Sequence, residues 1–460
     1  MAAEIVFASS AGLLAGIFLA GLGVGLNILI FLFIPAGVLF LFKKNWAKYV
    51  LATVVFCLLG NFYFPFYKNL RTLNFPKIGA KITLQGVLVG EPKLLGNYAV
   101  MPVKLSEPYA GIMEFMTNPS LTLKYGDKVL AIGKVLEPQN NTDLPSFMAY
   151  SVKVTAEGRG FPLKAALLGV KNSAVAIIQK YLSPQSSALM AGLIFGERSN
   201  FTDAFKSDMR LSGTTHLVAL SGYNIGILVI ALNMILGSYL SRKLRFVVLI
   251  MAITLFVIMV GGEASVVRAA LMGALVLLAK EIGRIYSVRQ AIAVSAAGMA
   301  IWNPLVLWDL GFELSFLSLI GLVYLSPVLG KILKIESKST LAQNFLQTTS
   351  AQLAVLPVVI NYFSSFSIMA ILANILVLSF VPIIMGLGFA LVLAGWLAPF
   401  LGFILGFFGE VFLRYMTFII SFFAKMRLPF GDFLKNIYFS VVYYLGLAVL
   451  IYAKTSRIKN

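Results

Sequence analysis

The chain has 460 residues, of which 59% are hydrophobic and only 12% charged, which excludes a soluble globular protein, where about half of the residues are apolar and about a quarter charged. Its net charge of +19 suits Lys- and Arg-rich cytoplasmic loops and equally an attraction to a polyanion. One cysteine, Cys57, and one histidine, His216, exclude an intrachain disulfide, a structural Cys/His zinc site and catalysis resting on two histidines.

Three apolar stretches open the chain, near 10–26, 28–42 and 47–66. A bilayer crossing needs about 20 apolar residues, so each predicts a span. Glu4 replaces a basic start and a second span follows at once, which argues against a cleaved leader. Lys43, Lys44 and Lys48 lie between spans two and three. Positive residues collect inside, so span three exits outward and residues 67–160 lie outside. The expected domains are 1–66, N-terminal transmembrane helices, 67–162, an extracytoplasmic β domain, and 163–460, a second membrane domain with amphipathic interfacial helices.

The outer segment has Pro and Gly punctuation and short alternating runs. Residues 81–89, 98–105, 121–125, 127–135 and 150–155 read as strands by their period of two. Five short strands predict a small barrel, of which the OB-fold is one kind. Residues 67–164 hold twelve Lys or Arg against seven Asp or Glu. Tyr98, Tyr109, Phe115, Tyr125 and Phe147 are rings that could stack on bases or fill the barrel core.

Helix resumes around Pro162. Residues 163–182 read as amphipathic and 186–196 as a shorter apolar helix. Phe201, Phe205 and Met209 recur every four residues among Asp203, Lys206, Asp208 and Arg210. That is an apolar stripe on an interfacial helix, with Asn200 or Thr202 as its cap. Further spans are expected near 215–236, 244–262, 265–282, 287–303, 305–328, 342–362, 366–395, 397–422 and 437–453, the 366–395 run breaking at Pro382.

The densest polar cluster is Gly196-Glu197-Arg198-Ser199, followed by a stretch containing Gly213, Thr214, Thr215, His216, Leu217, Ser221, Gly222, Asn224 and Gly226. The three glycines of the second stretch permit close backbone approach or a helix break. Irregular backbone at membrane depth must line a cavity or be buried in protein. His216, Ser221 and Asn224 fall on roughly one helical face. These residues fit a polar helix-packing seam as well as the lining of a path. Arg268 lies between two apolar runs, where a cation needs a partner or water; Glu263, Asp309 and Glu313 are the available acids.

This pattern resembles the ComEC family of DNA-uptake channels. The match runs through Gly213, His216, Leu217, Ser221, Gly222 and Gly226, and departs at Asn224, where a second His is commoner. Glu263-Ala264-Ser265-Val266-Val267-Arg268-Ala269-Ala270 resembles the family's Arg-Ala segment. Trp308-Asp309-Leu310-Gly311-Phe312-Glu313-Leu314-Ser315-Phe316 resembles its Asp-x-Gly-Phe-x-Leu-Ser-Phe segment, with Glu313 where Gln is usual. Gln352, Pro357, Ser364, Ser365 and Asn374 resemble later positions.

The resemblance implies a multi-pass inner-membrane channel for single-stranded DNA in natural transformation, not an enzyme and without cofactors. Arg198, His216, Ser221, Asn224, Arg268, Glu313 and Gln352 would line or support the DNA path, and Gly213, Gly222 and Gly226 would be structural glycines. Expected partners are single-stranded DNA, the lipid bilayer, a cytoplasmic DNA motor or helicase, outer DNA-receptor proteins and a second copy of the chain in a homodimer. No Gly-x-x-x-x-Gly-Lys-Ser/Thr motif occurs, so the motor would be another protein. The family's frequent C-terminal metallo-β-lactamase-like domain is expected to be missing. A membrane enzyme acting on an envelope glycan and a small-solute transporter are the competing readings.

Overall fold

The computed structural model describes residues 2–26, 29, 47–72, 74–95, 98–119, 121, 123–138, 144–218, 220, 222–283, 285–335, 339–363, 369–426 and 437–456. They fall into two compact units, Met1–Val170 with Ile235–Asp309, and Lys171–Met234 with Leu310–Asn460. The helices, in chain order, begin with α1 Ala2–Gly21, α2 Ala47–Thr72, α3 Pro162–Tyr181, α4 Pro184–Phe195, α5 Asp203–Leu211, α6 Gly222–Leu236, α7 Arg242–Val260 and α8 Ala264–Glu281. They continue with α9 Val288–Trp302, α10 Leu310–Ile320, α11 Ser326–Ile332, α12 Thr340–Phe363, α13 Met369–Leu378, α14 Val381–Leu397, α15 Pro399–Lys425 and α16 Ile437–Ser456.

In the first unit α1 lies along α2 at very short range. A Cβ on Gly12 would sit 2.3 Å from the Thr53 carbonyl oxygen, and one on Gly16 would sit 1.9 Å from that of Cys57. Two glycines four residues apart let membrane helices touch backbone to backbone. Leu13, Ile17, Phe64, Ala297 and Ala300 form the buried seam between α1, α2 and α9, with Trp308 packed against it. The Tyr63 hydroxyl donates to the Ile301 carbonyl at 2.6 Å.

The six strands are β1 Lys81–Leu88, β2 Lys93–Leu95, β3 Tyr98–Leu105, β4 Ile112–Thr117, β5 Lys128–Leu136 and β6 Ser146–Ala156. Their order is β1-β5-β6-β4-β3-β2, and β1 also pairs with β3. That pairing closes β1, β3, β4, β6 and β5 into a five-stranded ring, with β2 hung on β3. Only β4 and β6 run parallel. Ring order and the one parallel pair are those of an OB barrel, as the strand spacing predicts. Leu84, Leu88, Met101, Val103, Val129, Phe115 and Phe147 fill it. Gly86 allows the closure, since a Cβ there would lie 2.5 Å from the Lys104 carbonyl oxygen.

One strand expectation is corrected. Leu121 and residues 123–125 form no strand: the Asp127 carboxylate accepts the Lys124 N–H at 2.8 Å, and Gly126 turns the chain at φ +86°. The ring takes Ile112–Thr117 instead, with Met113, Phe115 and Thr117 inward. A compact junction joins the barrel to α3. Lys164 donates to the Val89 carbonyl at 2.6 Å and lies over the Tyr125 ring, 4.8 Å from its centroid. The Tyr125 hydroxyl accepts the Phe161 N–H at 3.0 Å. Burial pushes the Lys164 ammonium below the ordinary lysine range, and nearby Glu91 offsets part of that.

Among the described residues, five helical stretches are long and apolar enough to cross a membrane: Ala3–Gly21, Lys48–Thr72, Arg242–Val260, Leu310–Ile332 and Pro399–Lys425. Ala370–Leu378 and Val381–Leu397 would make a sixth, bent by 45° at the break. The bend falls where Pro382 suggested, because Pro cannot sit inside a helix but suits its first turn. The chain is thus a multi-pass membrane protein carrying a small extramembrane barrel. The spans expected near 265–282 and 342–362 are helices, but not among those five. α8 carries Arg268, Lys280 and Glu281, and α12 opens with Gln343, Asn344, Gln347, Thr348, Thr349 and Ser350. The expected span 28–42 lies almost wholly outside the described residues.

Candidate functional site

The site grows from α4, whose residues Ser186, Ser187 and Ala188 through Phe195 are all buried. Its start is held by Glu410 of α15. That carboxylate accepts from the Ser183 N–H at 3.1 Å and the Ser183 hydroxyl at 2.7 Å, and also from Arg414 at 2.7 Å. Negative charge belongs at a helix N-terminus, where backbone N–H groups are unsatisfied. At its other end Gly196 adopts φ +71°, the left-handed cap that glycine takes without strain.

The cap delivers Glu197 to Lys171 of α3, at 3.0 Å, with the Lys171 side chain only 5% exposed. Glu197 also accepts the Ser199 hydroxyl at 2.6 Å. Burial pushes the Glu197 carboxyl up, but Ser199 and Lys171 outweigh it and hold the group below its ordinary value. Sequence reasoning missed Lys171. The signal was present, since Leu168, Lys171, Ala174 and Ile178 share one buried stripe of α3: a lysine in the register of an apolar face must be paired. Arg198, next in the turn, is exposed.

Thr202 caps α5, its hydroxyl accepting the Phe205 N–H at 3.3 Å. Phe201, Phe205 and Met209 are buried, as the stripe predicted. On the polar side, Asp208 accepts the Ser421 hydroxyl of α15 at 2.6 Å. The chain then turns through Ser212, Gly213 and Thr214, whose hydroxyls meet at 2.7 Å. Gly213 has φ +70°, and a Cβ there would meet that of Ala370 on α13 at 2.4 Å.

A short 3-10 turn, Thr215–Leu217, precedes α6. This corrects the expectation of a single polar helical face. The helix begins only at Gly222, so His216 is on the turn and exposed, whereas Asn224 is on α6 and 3% exposed. Asn224 donates through Nδ2 to the Leu193 carbonyl at 2.9 Å, joining α6 to the last turn of α4. Ser221, Ser364 and Ser365 lie outside the described residues. Gly226 has nothing within 4 Å of a would-be Cβ, so close approach is not its role among the described residues. Gly222 opens the helix as its first residue.

The remaining candidates belong to different units. Glu313 on α10 and Gln352 on α12 are half-buried on helices that pack together. The chain comes close to α12 at Gly321, in a π-helical turn after α10, where a Cβ would lie 2.6 Å from the Ser350 carbonyl oxygen. Among the described residues, Gln352 Oε1, Thr349 Oγ1 and Asn374 Oδ1 are buried acceptors with no hydrogen-bond partner. Arg268 is half-buried on α8 in the first unit, within reach of Met272 Sδ at 3.9 Å. Glu263, one acid offered to it by the sequence, pairs with Lys93 of β2 at 2.9 Å.

Of the five candidate rings in the barrel, Phe115 and Phe147 are core, 4.8 Å apart. Tyr109 packs against that core and Tyr125 is held in the α3 junction. Tyr98 alone of the five is exposed.

The family model described as "Competence protein" matches residues 193–457, more than half of the chain. ComE operon protein 3 of Bacillus subtilis (strain 168) is 27% identical over 236 residues, which is 51% of this chain and 30% of that protein. The match therefore spans less than a third of the relative's length. No solved structure matches. The matched segment begins at Leu193, whose carbonyl holds Asn224, and takes in the Gly196 turn, α5, the His216 turn and every later helix. The chain belongs to the competence-protein family and is of the ComEC type.

Proposed function

We propose that the protein is a cytoplasmic-membrane channel through which single-stranded DNA enters the cell during transformation, its barrel meeting the strand on the outer side. The observation that carries this reading is the polar assembly on α4–α6, which from Leu193 onward lies within the family match. A buried ion pair, a buried amide and an exposed Arg and His are gathered beside apolar membrane helices. Polar groups at such positions are costly and mark conduction paths or their supports. The unpartnered acceptors Thr349, Gln352 and Asn374 add to this, since a buried acceptor without a bond costs about 1–3 kcal/mol unless water or a solute reaches it.

In this reading Arg198 and His216 contact the strand, because both are exposed, while Glu197, Lys171 and Asn224 hold the turn and α6 in place. Ser221, Arg268, Glu313 and Gln352 belong to the path or its walls. No hydrolytic step is assigned to the chain. The motor that pulls the strand and the receptors that deliver it are separate proteins.

The test is uptake in the host. Deleting the gene should leave labelled duplex DNA bound at the cell surface while nuclease-resistant, internalised DNA falls to background. Normal internalisation in the deletion strain would remove the reading.

A further inference from the structure

Three neighbouring strands of the barrel, β1, β5 and β6, contain four lysines and no acidic residue. The lysines are Lys81, Lys128, Lys134 and Lys153. Inward positions along β1 and β5 are Leu84, Leu88, Val129, Ala131 and Val135, so the period of two puts all four lysines outward. Pairing registers fix their arrangement. Lys81 lies opposite Lys134, Thr83 opposite Ile132, and Val87 opposite Lys128. Across the next ladder, Leu130 lies opposite Lys153 and Ile132 opposite Ser151. Beyond β1, Val87 also faces Lys104 of β3, another strand without an acid.

Folding alone does not account for this face. Like charges directly opposite one another destabilise a sheet, and the Lys81–Lys134 pair does so with no compensating carboxylate on its strands. Among the described residues, none of these four lysines makes an ion pair.

A ring stands among them. Ile132 pairs with Ser151 but Gly133 pairs with Ala149, so Tyr150 is the extra residue of a β-bulge. Bulges re-aim a side chain, and Tyr150 is 64% exposed, beside Ile132 at 53%. Gly133 makes the bulge possible: a Cβ there would lie 2.0 Å from the Met148 carbonyl oxygen. The six steps from Lys81 to Val87 run about 20 Å along the strands, and three strands are about 10 Å wide. That is room for a few nucleotides.

We propose that the outward face of β1, β5 and β6 binds single-stranded DNA, with Lys81, Lys134, Lys128 and Lys153 on its phosphates and Tyr150 stacked on a base. The proposal deepens the channel reading and rests on it for the choice of polyanion. A basic groove combined with a stacking ring is how proteins hold single strands without reading sequence. An anionic lipid surface would use the lysines but has no base for the ring.

The test uses the full chain in zwitterionic nanodiscs and a labelled 20-nucleotide oligothymidylate, with affinity measured against salt. Tyr150→Ala should weaken binding roughly tenfold and Tyr150→Phe should not, since stacking survives without the hydroxyl. The triple variant Lys81→Gln, Lys134→Gln, Lys153→Gln should reduce the log–log salt slope by about 2, at about 0.7 per phosphate contact. Wild-type binding with both sets of variants unchanged would place the strand elsewhere and overturn the proposal. So would loss of binding to phosphatidylglycerol vesicles with oligonucleotide binding intact, which would make the face a membrane contact. Either result leaves the channel reading standing wherever the deletion strain still fails to internalise DNA.

Discussion

Lys171 on α3 and Glu197 in the turn after α4 form an ion pair at 3.0 Å, and the Lys171 side chain is almost wholly buried. Breaking such a pair from one side leaves a desolvated charge. Lys171→Met should therefore destabilise the protein by about 2 kcal/mol, between the values for surface and fully buried pairs, because Glu197 keeps some exposure. The double variant Lys171→Met, Glu197→Leu should be milder than Lys171→Met alone. Thermal unfolding in detergent reads both, and additive losses would show that the pair is not coupled.

The same carboxylate predicts an acid dependence. Its folded-state pKa is held below the unfolded value of about 4.3. Its contribution is therefore fully present above about pH 5 and is lost as pH falls through the folded value. Unfolding measured from pH 7 down to pH 4 should fall less steeply in Glu197→Gln than in wild type. Identical slopes would contradict the assignment.

Asn224 gives a prediction separable from conduction. Its amide supplies the Leu193 carbonyl with a buried hydrogen bond. Asn224→Leu should lower the melting temperature and the amount of folded protein, at a cost of about 1–3 kcal/mol for the stranded acceptor. Asn224→His retains a donor and should restore both, along with DNA uptake. Equal behaviour of the two variants would reduce the position to packing.

Two glycines of one sequence pattern should respond differently. Gly213→Ala must place a side chain at positive φ and against Ala370, so it should destabilise by at least 1 kcal/mol. Gly226→Ala sits in a helix with room for a methyl group and should be neutral or slightly stabilising. The comparison of melting temperatures decides it.

Much of this architecture was legible in the residues. Strands 81–89, 98–105 and 127–135 announce themselves by alternation, and the observed strands match them to within about a residue. Residues 121–125 alternate equally well, yet Leu121 and residues 123–125 form no strand, because the Asp127 carboxylate and the Gly126 turn satisfy that backbone locally. Local side-chain capping competes with ladder formation and is invisible to periodicity. Ile112–Thr117 carries the same alternation, but Glu114 on its outward side weakens the apolar signal. The site was less legible. A helical spacing joins His216 to Asn224 on paper, but the chain makes a 3-10 turn between α5 and α6, so His216 sits on the turn with an accessible surface while Asn224 is buried on the helix. Tyr150 could not be singled out from sequence, since its exposure depends on a bulge set by the partner strand.

Arg268 gives a further test of the path. Arg268→Ala should stop uptake while the protein still accumulates in the membrane. Arg268→Lys should keep part of the activity, because a cation remains but the planar fork is lost. A fall in protein yield, rescued by Glu313→Ala, would make Arg268 half of a structural pair.

The most direct test of the channel is to trap a strand in transit. A photo-crosslinking residue placed at position 198 or 216 should capture labelled DNA in cells arrested during uptake. The same residue in place of Ile230, exposed on the α6 side away from buried Asn224, should capture none. Crosslinks at 198 and 216 but not at 230 are the result expected of a strand passing along the turns beside α4 and α6. Uptake that proceeds with no crosslink at 198 or 216, or with equal capture at 230, would contradict it.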